Sequence, residues 1–291
     1  MPVTRVVALA LAFVLAACSS QQAATNANGP IAVVTTISTF NSMVQAVGGN
    51  RVQVKSLVPV GASPETYQPT PQDVATLSQA ALLVENGAGL ETWLGKTIAN
   101  VGSHTLRTVV CSNGLTVQNQ NPHLWMDPVN AKHYVFAIRD GLINIDPQHG
   151  EEYRTNARHY AASLDKLQAS IARRIATIPP SHRYMIVFHN AWLYYNERFG
   201  ITSLGFIEAN PGQDPNPQQI AQLIELARAH QVRAIFSEPE YSAKIAQQIA
   251  HNANIKVVDN LYDDSIGTDP QVSTYTGMLN YDTDVIVKAL Q

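Results

Sequence analysis

Cysteine is nearly absent from this 291-residue chain: there are two, Cys18 and Cys111. Two cysteines cannot build a disulfide framework. Nor can they build a cysteine-rich zinc site or an iron–sulfur cluster. Charge is also sparse, at 14% of residues, with 19 basic against 22 acidic side chains and a net charge of −3. That balance leaves no basic surface for a polyanion, so no nucleic-acid partner is expected. Long apolar runs are missing as well. The run Val6–Ala17 has twelve residues, short of the roughly 20 that a membrane-spanning helix needs. What is present is a hydrophobic fraction of 45%, which suits a folded chain and excludes disorder throughout. The length exceeds one typical core and implies one large or two mid-sized domains. With cysteine scarce, the nine histidines are the main candidates for metal ligands.

The first residues read as an address. Arg5 precedes the apolar run, and Leu15-Ala16-Ala17-Cys18 closes it, in the pattern of a secretory signal. The closing tetrad resembles the bacterial lipobox. That resemblance implies cleavage before Cys18 and lipidation of its thiol, with residues 1–17 as a lipoprotein signal peptide. Residues 18–30 are rich in Ser, Gln, Ala and Asn and read as a flexible tether. Acyl chains hold a protein at a membrane face at about 0.8 kcal/mol per buried methylene. The expected location is extracytoplasmic, lipid-anchored to the cell membrane, periplasmic or at the cell surface. Cys111 is then alone, and no intramolecular disulfide is expected.

The rest of the chain alternates short β-branched runs with helical patterns. Ile31–Thr36, Val52–Val58, Ala81–Glu85 and Leu106–Cys111 read as strands. Helices are expected from Ser38, as a cap, to about Val47, over Pro71–Gln79 and over Leu90–Val101. Residues 148–179 differ. Tyr153, Leu164, Leu167, Ile171 and Ile175 recur at mostly helical spacing, and Pro179-Pro180 ends the pattern. A helix of about 30 residues spans roughly 45 Å, long for one domain, so it reads as a connecting spine. The alternation then restarts, with strands at Tyr184–Phe188, Ile201–Ile207, Val232–Phe236 and Ile255–Val258. Helices follow at Ala191–Phe199, Gln218–His230, Ala243–Ala253 and Tyr275–Leu290. The expected fold class is α/β: two parallel-sheet lobes, residues 31–147 and 180–291, joined by a single long backbone helix.

Ligands of open parallel sheets bind beyond the carboxyl ends of strands. Glu65, His123, His189 and the pair Asp263 and Asp264 all follow predicted strands. Two imidazoles with carboxylates suit a borderline or moderately hard divalent cation. The spacing alone is no metal signature, because these residues lie far apart in the chain.

Four motifs tie them together. They are Gly61-Ala-Ser-Pro64-Glu65-Thr-Tyr67-Gln-Pro69, Pro122-His123-Leu-Trp125-Met-Asp127-Pro128, Phe188-His189 running to Phe199-Gly200, and Asp264-Ser265-Ile266 followed by Tyr275-Thr-Gly-Met278. The chain so resembles the zinc/manganese/iron solute-binding lipoproteins of bacterial ATP-binding-cassette importers, over nearly the whole mature length. Ser237-Glu238-Pro239 resembles a structural strand end of that family. The resemblance implies one divalent metal ion carried as transported ligand in the cleft between the lobes, with Glu65, His123, His189 and Asp264 as its ligands. Glu65 stands where the family usually has histidine; a glutamate oxygen coordinates at about the same 2.0–2.2 Å. Two histidines with two carboxylates, and no histidine in residues 113–121, favour Mn²⁺, with Zn²⁺ or Fe²⁺ as the other ions. Tyr67 and Trp125 are placed to shield the ion. Implied partners are a cognate permease in the membrane and the bilayer itself through Cys18, for a monomeric protein that is not an enzyme. The alternatives are an exported metalloenzyme, which needs an open coordination position and a base, a surface adhesin of the same family, and a related binding protein for a siderophore or cobalamin, which needs no such four-ligand set. His104, His133, His149, His159, His182, His230 and His251 are expected at the surface or in structural roles.

Overall fold

The computed structural model describes residues 29–103, 105–208 and 212–291. The signal segment, Cys18, most of the tether and His104 lie outside the described residues. The first lobe holds β1 (Ile31–Thr35), α1 (Asn41–Gly48), β2 (Val52–Ser56), α2 (Pro71–Ser78), β3 (Leu82–Glu85), α3 (Leu94–Val101) and β4 (Arg107–Val110). Two long helices follow, α4 (Pro128–Ile145) and α5 (Gly150–Ile175). The second lobe holds β5 (Tyr184–Val187), α6 (Leu193–Phe199), β6 (Thr202–Phe206), α7 (Pro217–Ala229), β7 (Ala234–Phe236), α8 (Lys244–Ala253), β8 (Lys256–Val258) and α9 (Tyr275–Leu290). Each sheet has four parallel strands, ordered β2-β1-β3-β4 and β6-β5-β7-β8. Both orders reverse beside their first strand in sequence, and that reversal opens a crevice at the strands' carboxyl ends.

The connection follows from its pattern. α5 buries Tyr153, Ala157, Ala161, Leu164, Leu167, Ile171 and Ile175, a stripe three or four residues apart. Glu151 and Glu152 lie in its first turn and Arg173 and Arg174 in its last, matching the helix dipole at both ends. It is shorter than residues 148–179, because Pro147–His149 form a 3₁₀ turn before it and the chain is out of helix by Thr177. At about 1.5 Å per residue its 26 residues span about 39 Å. One part of it packs on α4 and α1, another on α9 and α6.

α4 is absent from the helices expected above, although its buried residues Ala131, Tyr134, Val135, Ile138 and Leu142 recur at helical spacing; two further features explain how it forms. Asp127 accepts the Val129 N–H at 2.9 Å as its cap, and Pro128 follows as its first residue. Gly141 lies against the sheet, where an added Cβ would sit 2.3 Å from Val109 Cγ2. The interior glycine that weakens the helical pattern is what lets α4 lie on β3 and β4. Ser38 also departs from expectation. It caps no helix; a 3₁₀ turn over Ser38–Phe40 leads into α1, and the Ser38 hydroxyl accepts the Ile266 N–H at 3.2 Å.

The largest apolar core is continuous across both lobes. It runs from Val33, Leu82 and Val84 through Met43, Tyr134 and Leu164 to Met185, Trp192, Phe236 and Met278. Smaller clusters fill the outer faces, Val34, Leu77, Leu83 and Leu94 in the first lobe and Ile186, Leu223, Ile235 and Ile249 in the second.

Candidate metal centre

Glu65 lies in the long loop after β2. That loop is tied down where Trp93 Nε1 donates to the Pro64 carbonyl at 2.8 Å. His123 sits just before the 3₁₀ turn Leu124–Met126 that leads into α4. His189 follows the buried strand β5 by one residue, and Asp264 lies in the loop after β8. The fold draws these four residues, far apart in the chain, to the interface of the lobes. His123 Nε2 and His189 Nε2 are 3.3 Å apart. Asp264 Oδ1 is 3.5 Å from His123 Nε2, and its Oδ2 is 3.7 Å from His189 Nε2. Donor atoms of Glu65, His123 and His189 all lie within 4.8 Å of one another.

The backs of both imidazoles are fixed. His123 Nδ1 meets Asn121 Oδ1 at 3.1 Å, and Asn121 reaches across to the Asn190 carbonyl. His189 Nδ1 meets Glu238 Oε2 at 2.5 Å. An acceptor behind Nδ1 places the proton there and leaves Nε2 free to ligate. Asp263 and Asp264 differ sharply. Asp263 accepts from Trp192 Nε1 and from the Asp264 N–H, whereas neither carboxylate oxygen of Asp264 has a hydrogen-bond partner among the described residues, at 1% exposure. A buried carboxylate without donors is costly and asks for a cation.

The charges are mutually biased. Burial, and then the neighbouring His189, hold the His123 imidazole well below its ordinary pKa. Burial lowers His189 too, but Glu238 and Asp263 outweigh it and keep that imidazole well above its usual value. Burial raises Glu65 and Asp264, and the facing His189 pulls each partly back. Such displaced titrations cluster where a fold gathers functional groups.

Around these groups, Trp125 packs 5.1 Å from the His123 ring. Tyr67 is engaged elsewhere, with its hydroxyl on Asp73 at 2.9 Å and its ring 5.1 Å from Trp93. Tyr241, unmarked in the sequence, takes the other wall at 5.4 Å from His189. Glu238 and Asn121 are also functional neighbours that the sequence pattern does not single out as such. The signals were present: Glu238 lies just past a strand's carboxyl end, and Asn121 stands two residues before a ligand candidate. The other histidines among the described residues do not converge. His133 meets the Asn113 carbonyl, His149 meets Asp146 and His182 meets the Leu290 carbonyl. Cys111 is fully buried and has no disulfide partner among the described residues.

The two lobes are stitched together here. Thr39 donates to the Asp264 carbonyl at 3.1 Å, Trp125 Nε1 to the Asp263 carbonyl at 3.0 Å, and Tyr275 to the Trp125 carbonyl at 2.6 Å. Arg198 of α6 grips Asp127 with two nitrogens, the shorter contact being 2.6 Å.

The model of one family, zinc-uptake complex component A, periplasmic, matches residues 33–289. The chain belongs to that family. It is 28% identical over 290 residues to the manganese-binding lipoprotein MntA of Halalkalibacterium halodurans, covering 98% of this chain and 97% of the relative. It is 31% identical over 266 residues to the iron-binding protein YfeA of Yersinia pestis, covering 88% and 85%. Among solved structures, a Mn-bound periplasmic metal-binding protein from Candidatus Liberibacter asiaticus superposes with a TM-score of 0.80 at 28% identity, over 90% of this chain and 100% of that one. Family members are transport solute-binding proteins, not enzymes. Several relatives are named as lipoproteins, and no helix among the described residues is long and apolar enough to cross a membrane.

Proposed function

We propose that the protein captures one divalent transition metal outside the cytoplasm through Glu65, His123, His189 and Asp264 and hands it to an ATP-binding-cassette permease. The observation that carries this reading is Asp264: a buried carboxylate with no donor among the described residues, facing two imidazole Nε2 atoms whose opposite nitrogens are already engaged. Two carboxylates bring the two negative charges that a divalent ion balances, which offsets the desolvation of burying it. Mn²⁺ is the favoured cargo, since carboxylate oxygens suit it and two imidazoles complete the set. Relatives named for manganese and for iron support a metal of this class. Zinc lies above manganese in intrinsic affinity, so discrimination rests on the geometry of the four ligands.

The lobes move little on release in this account, because one apolar core runs through both and α5 braces them. The permease then reads a local change around Asp264. Residues 31–147, 148–179 and 180–291 act as lobe, connector and lobe, with Cys18 lipidated and the protein monomeric. The deciding experiment measures metal content of protein purified without chelator, followed by Mn²⁺, Fe²⁺ and Zn²⁺ competition in the parent and in Glu65→His. Expected are a single bound Mn²⁺ and a shift of preference toward Zn²⁺ in the variant. Absence of stoichiometric binding of any of the three ions would overturn the reading.

A further inference from the structure

Asp282 on α9 is fully buried, at 0% exposure, and has no place in the ligand set. Its Oδ1 accepts the backbone N–H of Tyr262 at 3.0 Å, while its Oδ2 has no partner among the described residues. Tyr262 lies two residues before Asp264, in the loop that carries that ligand. Burying a carboxyl group in apolar surroundings is unfavourable, and an apolar residue would fill the same space without that cost. The structure offers one compensating contact, the bond to this loop.

The other bonds on the loop show why that contact matters. Beyond Tyr262, the loop is held largely from the first lobe: Thr39 and Trp125 take the Asp263 and Asp264 carbonyls, Gly61 N–H meets Ser265 Oγ, and Ser38 takes the Ile266 N–H. On the second-lobe side, Leu261 N–H meets the Ser237 carbonyl, Tyr262 N–H meets Asp282, Trp192 Nε1 meets the Asp263 side chain and Ser265 Oγ donates to Glu240. Asp282 thus ties the ligand loop to α9, and α9 packs along the connecting helix α5. Whatever bends the loop away from α9 also moves Asp264 off the two Nε2 atoms.

We propose that Asp282 is a positioning residue for metal capture, holding the Asp264 loop in register with the His123–His189 pair through the Tyr262 amide. The proposal rests on the reading of Asp264 as a ligand. Asp282→Asn keeps an acceptor oxygen for Tyr262; Asp282→Leu fills similar space without one. The test loads each full-length protein with Mn²⁺ alone and follows its release to a chelator in stopped flow, beside the melting temperature of each metal-free protein. Asp282→Leu should release Mn²⁺ about tenfold faster or more, the scale seen when a residue orienting a ligand is removed, and Asp282→Asn should release at the parent's rate. A merely structural role would lower melting temperature and leave release unchanged. A folded Leu variant with the parent's release rate, or an Asn variant as fast as the Leu variant, overturns the proposal.

If Asp282→Leu does not fold, amide exchange of the metal-free parent decides. The Tyr262 N–H should exchange as slowly as amides within α9, and rapid exchange there overturns the proposal. Asp264→Ala separates the two ideas. Parent-like Mn²⁺ affinity in that variant removes Asp264 as a ligand and the proposal with it. Weakened binding there, with unchanged release in Asp282→Leu, removes only the positioning role.

Discussion

The two lobes share one sheet topology yet present their ligand candidates differently. In the second lobe, His189 is one residue beyond a buried strand and Asp264 is buried, with backbone and neighbours bonded on several sides. In the first, His123 is equally buried, but Glu65 rides on a long, half-buried loop whose anchor at Pro64 is a tryptophan N–H. The difference separates a half-site fixed throughout from one that is adaptable at Glu65. Binding energy should concentrate in the buried ligands, where unpaired groups are costliest, and the variable position should lie at Glu65.

That contrast can be broken in order of expected effect. Asp264→Ala should weaken Mn²⁺ binding by about 100-fold or more, beyond the 10–100-fold typical of losing a residue that merely orients a ligand; titration calorimetry measures it. Glu238→Gln should cost about 10–100-fold, since the weaker acceptor no longer fixes the His189 tautomer. Glu65→Ala should cost about tenfold, at the low end of that scale, because water can take its place in a half-exposed loop. An equal loss in Glu65→Ala and Asp264→Ala would erase the distinction between the halves, and no loss in Glu65→Ala would remove it from the ligand set.

The smallest effect is one of stability. Glu85, at the end of β3, is pushed up to about 7 by burial and then by the nearby Glu91. Between its ordinary value of 4.5 and about 7 the folded chain binds more protons there than the unfolded chain. This contribution to stability is therefore present at acid pH and fades as pH rises through that window. Glu85→Gln should raise the melting temperature of the metal-free protein at pH 8 relative to the parent, with the gap closing toward pH 4. A gap that widens on acidification would reverse the assignment.

Much of this molecule is legible in its sequence, and the reasons differ from place to place. The strands and most helices follow the apolar pattern, and α5 is plain because no glycine or proline interrupts it. α4 is absent from the expected helices although Asp127, Pro128 and the stripe Ala131, Tyr134, Val135, Ile138 and Leu142 mark it; only Gly141 near its end, placed for contact with Val109, departs from helix propensity. The converging residues are visible as strand-end groups and family motifs. Their supports are less so: Asn121, Tyr241 and Asp282 act through contacts that span 20 to 69 residues, such as Asn121 to Asn190 and Asp282 to Tyr262. Ser38 shows the same limit, since a serine before a helix is a good cap by local rules and here answers an amide more than two hundred residues away.

The continuous apolar core has a consequence for how the chain comes apart. Two lobes joined by one helix invite dissection into independent halves. Here either half, cut at α5, would expose the side chains that now meet across it, from Tyr134 and Leu164 to Tyr275 and Met278. Exposed apolar area on that scale drives association, so isolated halves should aggregate rather than fold. The intact chain should melt in one cooperative transition, with calorimetric and van't Hoff enthalpies in agreement. The seam between the lobes is then as much a part of the folding unit as either sheet.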